Sequence, residues 1–596
     1  MSKTRKKQLL LDSNMKMSLI YCFVIMLVCF LFTVNLYEFQ YLNYDDTPVF
    51  LDNARLHVQS LSEIVSLIIP QAQQGVVEYM PLKDMSLALD YYLFGLQSPL
   101  VRFQSFLWYG LSIVFCFLFV RLLIRQYSLQ KKLPISGDHA SFVAFLLAIA
   151  FLFHPVHVNS WAWISSRKDL LCGCFTFLSL WSYYVHSIEA NRKFLVLSLF
   201  AYFLALLSKP TAAFLPLVIV ALDLLYLESN RVFTRENIRK LAGSFVFVLM
   251  TFLFAAFYYI TVTAKGGPGV ENVAENVIIP PYNLLPLWIV QLFAYLKMSF
   301  YPVGLNVIQM FEFPELLSVA FVRDVLLVLA LLAAFIWGLF KNRLVAFGIF
   351  FFVVSLLPTM LTNPFHQYYA TRYLYFGIFG FLLVPFALLL QYNALNKVAL
   401  GVVTLFVTML GLMSHNYSDC FASSENLWKC HIESQSDHWP AYKRLALTYL
   451  EQNKLEQAQA NFALCKHFNP ESMSCAIKQA ETLFAILPPE QKQSAIKMML
   501  ELVAKDKTGA ALRTLALMYL ELGEKQKALD AYAKGMQGHA VHMSDILAYA
   551  EFLWFAGEKD LAYKNLDIVD SARKSWEPDT VEIRKRWQKE SKADNK

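Results

Sequence analysis

The chain has 596 residues, 57% of them hydrophobic, with 50 phenylalanines and a mean hydropathy of +0.43. A soluble fold has no core able to take that much apolar surface, so a wholly soluble protein is excluded. The net charge of +7 carries little meaning by itself, because in a polytopic chain the placement of Lys and Arg decides orientation. The soluble tail is mixed in sign, which excludes the basic patch a nucleic-acid partner would need.

Lys3, Arg5, Lys6, Lys7 and Lys16 precede the first apolar run, near 18–38. The run is long for a signal peptide, and no small-residue cleavage site stands before Tyr44. The sequence therefore predicts a retained first helix with a cytoplasmic N-terminus. Further apolar runs lie near 100–124, 140–157, 169–187, 193–208, 211–227, 242–263, 320–340, 344–361, 372–391 and 397–414. Runs of about 20 residues can cross a hydrocarbon core of ~30 Å. Eleven crossings are expected, with 284–303 either an additional crossing or a re-entrant or interfacial segment.

Loop charges favour the second option for 284–303. Arg121, Arg125, Lys131, Lys132, Arg192, Lys193, Lys341 and Arg343 then fall inside, which is a strong positive-inside bias. This topology puts the loop 39–99 and the C-terminal tail on the outer, periplasmic side of an inner membrane. Within that loop, 61–69 and 84–96 show helical periodicity and read as helices in the interface plane.

Four polar clusters fall at predicted outer ends, where polar groups are costly unless they serve a function. Tyr44-Asp45-Asp46 follows the first span. Adjacent carboxylates repel, which raises one pKa, and a carboxylate there suits general-base work on a hydroxyl. It could also help hold a divalent metal, although no metal or other cofactor is indicated, and a solvated turn is the bland alternative. His154 and His157 stand three apart, ahead of Arg167, Lys168 and Asp169. No third ligand accompanies the histidines, so the basic pair suits a phosphate better than the histidines suit zinc. Interfacial snorkelling is the alternative for the basic pair. Lys209, in Ser208-Lys209-Pro210, is either a phosphate ligand or a snorkelling residue. The fourth cluster is His366 with Arg372-Tyr373-Leu374-Tyr375, where Arg372 can bind phosphate bidentately.

After Ser414 the composition becomes that of a soluble helical protein. Residues 441–458 align with 511–528, and 555–562 align with 521–528, 34 positions apart. That period, with Ala, Leu, Tyr and Gly in register, is the tetratricopeptide pattern, and about four repeats fit. Gly523 and Gly557 are expected at turns. Such an array offers a concave surface for protein or peptide, or acts only as a packing domain. Cys22, Cys29, Cys116, Cys172 and Cys174 read as packing residues of the body. Cys420/Cys430 and Cys465/Cys475 are candidate disulfides in an oxidising compartment.

Six stretches carry a resemblance to a known family. They are NYDDTPVFLDN (43–53), MPLKDMSLALDYYLFGL (80–96), HPVHVNSWAWISSRKDLL (154–171), LLSKPTAAFLP (206–216), TRYLYFG (371–377) and the tail from ENLWKC to HFNP (425–470). In these, and in their order, the chain resembles bacterial relatives of the transmembrane-and-tetratricopeptide-repeat O-mannosyltransferases, which have the type-C glycosyltransferase fold. It departs from them at Arg102, Ser105, Tyr109 and Asn159.

The resemblance implies an all-α protein. Residues 1–414 would form a membrane body, 415–436 a linker or first tail helix, and 437–596 a repeat domain. It implies an inverting transfer from a polyprenyl-phosphate-linked sugar to an acceptor hydroxyl at the outer membrane face. Asp45 and Asp46 would be catalytic, with Asp45 the base and Asp46 orienting or binding sugar. Arg167, Lys168, Lys209 and Arg372 would bind the donor phosphate, supported by Tyr44, His154, His157 and Tyr375. An exported protein or peptide is the expected acceptor. A non-enzymatic membrane scaffold whose repeats recruit exported proteins is the alternative.

Overall fold

The computed structural model describes residues 15–69, 79–131, 136–225, 235–260, 281–308, 315–316, 318–362, 370–392, 396–537, 543–572 and 580–594. Regular structure among these residues is entirely helical. The chain divides into two units, 1–423 and 424–596.

The first unit begins with α1 (Met15–Thr33), α2 (Leu61–Ser66), α3 (Pro81–Phe94), α4 (Ser98–Lys131) and α5 (Gly137–Leu152). It continues through α6 (Val158–Trp161), α7 (Arg167–Glu189), α8 (Arg192–Ser208), α9 (Leu215–Leu225) and α10 (Arg235–Tyr258). Its last members are α11 (Pro281–Phe300), α12 (Val319–Lys341), α13 (Arg343–Thr362), α14 (Gly377–Gln391) and α15 (Lys397–Ser418). Local chemistry fixes many boundaries. Ser60, Ser136, Ser318 and Asn396 cap the helices that follow them by accepting a first-turn N–H. Gly95, at φ 62°, ends α3 in a conformation that favours glycine.

Each predicted apolar run contains a helix, but several runs are broken. The run 140–157 ends its first helix at Leu152, and the chain then bends by 52° into Pro155–Trp161. The proline cannot donate a ladder hydrogen bond, so the helix restarts there. The runs at 211–227 and 372–391 likewise open with 3-10 turns, Pro210–Phe214 and Thr371–Leu374. Among the described residues, five helices are long and apolar enough to cross a membrane, or six if the bent pair is one span. Four further apolar helices are shorter, including Leu284–Phe300 within the ambiguous segment. The expected helices near 61–69 and 84–96 are present as α2 and α3.

The tightest packing lies among α4, α7, α8, α13 and α14. Between α7 and α8, Ser179 and Ser198 exchange hydroxyl-to-carbonyl bonds at 2.9 and 2.8 Å. A Cβ at Gly380 would lie 2.5 Å from the Gly348 carbonyl oxygen, so α13 and α14 touch backbone to backbone. In contrast α12 buries almost none of its apolar surface.

The second unit starts with α16 (Ser424–Ser434), so most of the segment expected as a linker is helix. Four helix pairs follow: α17 (Trp439–Glu451) with α18 (Leu455–Phe468), α19 (Met473–Ile486) with α20 (Lys492–Val503), α21 (Ala510–Glu521) with α22 (Lys525–Gly535), and α23 (Met543–Phe555) with α24 (Lys559–Ala572). α25 (Thr580–Asp594) closes the series. Fully buried Ala480, Ala495, Ala516, Ala528, Ala550 and Ala562 let the helices approach closely. Asn453, Gly523 and Gly557 make the turns within three pairs, with φ of 58°, 78° and 80°. Trp587 of α25 stacks on Trp554 at 4.6 Å.

Cys465 and Cys475 form a disulfide between α18 and α19, as their spacing suggested. Cys420 falls in the first unit and Cys430 in the second. Cys22, Cys29, Cys116, Cys172 and Cys174 are free, and all but the half-buried Cys22 are buried.

Candidate functional site

The two adjacent aspartates occupy different environments. Asp46 is fully buried. Its Oδ2 accepts the Leu42 N–H at 3.0 Å, and its Oδ1 accepts the Ser165 N–H at 3.0 Å and the Ser165 hydroxyl at 2.6 Å. Burial pushes its carboxyl above the usual range, against the opposing pull of Ser165, Leu42 and Arg102. Asp46 thus staples the loop after α1 to the corner before α7. Asp45 is half-buried. It belongs to the electrostatic surroundings of Arg372, together with Tyr373, Tyr44 and Asp169.

Aromatic rings join these groups. Tyr44 stacks on Trp163 with centroids 5.4 Å apart. The Arg372 guanidinium lies 5.8 Å from the Trp163 ring and 5.1 Å from the Tyr373 ring. The Lys209 ammonium lies 5.4 Å from the same Tyr373 ring. Lys209 also donates to Asp169 Oδ1 at 2.5 Å, with both side chains buried. Tyr44, Asp45, Trp163, Asp169, Lys209, Arg372 and Tyr373 therefore form one cluster. Its half-exposed members are Tyr44, Asp45, Arg372 and Tyr373.

The four cations expected to hold phosphate do not stand alike. Arg167 is wholly buried and ion-paired with Asp90. It also donates to Ser105 Oγ at 3.0 Å and to the Val101 carbonyl at 2.6 Å. Its donors are committed within the protein, so its geometry is that of a brace. Burial pushes the Asp90 carboxyl up to about 6, against the pull of Arg167. Lys209 is half committed, through Asp169. Lys168 is half-exposed in the first turn of α7, where the positive end of the helix dipole lies. Arg372 is half-exposed within the aromatic cluster.

The histidines make hydrogen-bonded links within the first unit. His154 is buried, with Nε2 3.2 Å from the Ser299 carbonyl. His157 places Nδ1 2.7 Å from the Phe151 carbonyl and Nε2 3.1 Å from the Tyr375 carbonyl. Tyr375 in turn shares a 2.9 Å bond with Ser112. Asn159 donates to the Thr371 hydroxyl and receives a bond from Tyr417. These contacts pin the 3-10 turn that carries Arg372. No group of three or more potential metal-ligating side chains occurs among the described residues. His366 lies outside the described residues.

Sequence reasoning assigned no role in the site to Trp163, Asp169, Ser165, Asp90 and Arg102. Arg102, read as a departure from the family pattern, is buried and donates to the carbonyls of Ala162 and Gln40, both at 2.7 Å. It therefore braces the same loop that Asp46 staples. Ser105 and Tyr109, read the same way, hold Arg167 and the Leu152 carbonyl. No periodicity or spacing marks these residues, because their hydrogen-bond partners lie 40 to 119 positions away. No protein-family model matches the chain, and no curated protein matches it.

Proposed function

We propose that the chain is an inner-membrane glycosyltransferase that transfers a sugar from a polyprenyl phosphate to a hydroxyl, chiefly protein Ser or Thr, at the periplasmic face. One observation carries this reading: a half-buried carboxylate, Asp45, lies in the electrostatic surroundings of the half-exposed Arg372 guanidinium, beside a partner carboxylate locked by hydrogen bonds. Asp45 takes the proton of the acceptor hydroxyl as its oxygen attacks the anomeric carbon. The bond from that carbon to the phosphate oxygen breaks, and polyprenyl phosphate leaves with the electron pair. Arg372 and Lys168 offset the charge that develops on it. Attack opposite the leaving group inverts the anomeric centre. Asp46 positions Asp45 and does not itself react. No metal is needed in this scheme.

The same reading takes the helices of the first unit as eleven crossings, with α11 re-entrant or interfacial. Helices paired by small alanines, with glycine turns, support reading the second unit as a tetratricopeptide-repeat solenoid that presents exported polypeptide.

The test compares Asp45→Asn with Asp46→Asn at matched expression, following mass shifts on exported proteins. Asp45→Asn is expected to lower transfer by about 10²–10⁴-fold with an unchanged melting temperature. Asp46→Asn is expected to lower both. Full glycosylation with Asp45→Asn would remove the proposed base.

A further inference from the structure

Two polar atoms at the heart of the cluster are buried and unsatisfied. Asp169 uses Oδ1 for Lys209, whereas its Oδ2 has no hydrogen-bond partner. The Trp163 indole N–H also has none, although its ring is engaged by Tyr44 and Arg372. Both residues are 3% exposed. A carboxylate oxygen and an indole N–H left without partners at such depth each cost free energy, of order 1–3 kcal/mol or more for the charged group. A ligand that supplied the missing partners there would relieve that cost.

The pair has opposite hydrogen-bonding sense: one acceptor and one donor. A phosphate would satisfy the indole but be repelled by the carboxylate. A hydroxyl satisfies either, and a sugar presents several in fixed relative positions. Asp169 and Trp163 are both tied to Arg372, through the electrostatic field and through ring contact respectively. Half-exposed Tyr44 and Tyr373 lie over Trp163 and Lys209, so a ligand reaches the two atoms by moving rings rather than backbone.

We infer that Asp169 and Trp163 read the sugar of the donor, Oδ2 accepting one hydroxyl and Nε1–H donating to another oxygen. This rests on the proposed transferase function and assigns its sugar subsite. The two residues are binding residues, distinct from Asp45, which removes the proton, and from Arg372, which faces the phosphate.

The test is equilibrium binding to the full chain in lipid nanodiscs. The probes are bare decaprenyl phosphate and decaprenyl phosphates carrying mannose, glucose, galactose or N-acetylglucosamine. The wild type should bind at least one glycosylated lipid about tenfold or more tightly than the bare lipid, as expected for paired hydroxyl recognition. Trp163→Phe keeps an aromatic ring for the stack with Tyr44 and removes the N–H, and Trp161→Phe controls for the smaller ring. It should erase most of that preference while changing bare-lipid affinity less than about twofold; Asp169→Asn should also erase the preference, but with bare-lipid affinity raised because Lys209 loses its carboxylate partner. Trp161→Phe should leave the preference intact. Should Asp169→Asn fail to fold, Trp163→Phe decides alone.

A preference retained in Trp163→Phe overturns the inference and leaves the transferase reading standing. Equal binding of bare and glycosylated lipids by the wild type also overturns the inference. Absence of binding to every polyprenyl phosphate overturns the transferase reading, and the sugar subsite with it.

Discussion

The two units use charge in opposite ways. In the first, Arg167 and Asp90 have side chains with no exposure, and Lys209 and Asp169 are nearly as deep. In the second, the ion pairs lie on the surface: Lys525–Glu558, Lys478–Glu481 and Arg586–Glu551 all have side chains at least 35% exposed. Surface pairs are screened and contribute little, whereas a buried charge must be paired or it is strongly destabilising. The first unit tolerates buried charge because it has to hold loops in fixed positions. The second holds its shape with alanine contacts and glycine turns, which need no charge at all.

This contrast can be broken most sharply at Arg167. Arg167→Met leaves Asp90 buried without its partner and should cost the first unit about 3–5 kcal/mol, read as a fall in its thermal melting. The double change Arg167→Met with Asp90→Leu should recover much of that loss, because no uncompensated charge remains. A single variant as stable as the wild type would show that the buried pair is not structural.

Loss of the disulfide should have the next largest effect. Cys465→Ser with Cys475→Ser should lower the stability of the second unit by about 2–3 kcal/mol in denaturant unfolding. Thiol labelling of the wild type without reductant should leave Cys465 and Cys475 unmodified.

A buried histidine pair in the second unit resembles the buried groups of the first. His431 and His438 stack at 4.4 Å, and burial lowers their pKa values to about 3 and about 4. For each, the mutual repulsion or the nearby Asp437 is a smaller influence than burial. The folded state therefore favours the neutral rings. Their stabilising contribution is complete above the ordinary histidine value of about 6.5 and is lost as pH falls from there towards the folded values. Between pH 7 and pH 5 the second unit should lose about 2 kcal/mol per histidine, and His431→Phe with His438→Phe should flatten that dependence. A wild-type unit equally stable at both pH values would contradict it.

The smallest effect belongs to the surface. Lys525→Ala should change stability by less than about 1 kcal/mol. A loss as large as that of Arg167→Met would erase the distinction between the units.

The sequence carried the helical content well, because each apolar run is long and unmistakable. It carried span continuity poorly: Pro155 interrupts a run that hydropathy alone treats as unbroken, and the run 211–227 opens with a 3-10 turn. In the tail, Gly523 and Gly557 announced their turns, and the ten-residue spacing of Cys465 and Cys475 fitted a contact between successive helices. The site was half legible. Asp45, Lys209 and Arg372 could be picked out as polar residues at apolar ends. Arg167 looked identical to them in sequence, yet its role as a brace depends on Asp90, 77 positions earlier. Trp163 and Asp169 were silent for the same reason, since a tryptophan and an aspartate beside a helix start carry no spacing signal of their own.

The bond from Asp46 to Ser165 spans 119 residues of chain. Synthesis at roughly 5–20 residues per second puts about 6–24 s between the emergence of one partner and the other. The turn that carries Arg372 is fastened still later, because Asn159 waits for Thr371, 212 residues on. During biogenesis the acid doublet therefore exists first as an untethered loop, then as a stapled one, and only last beside its cation. A chain halted before residue 371 would hold its carboxylates without the charge that faces them.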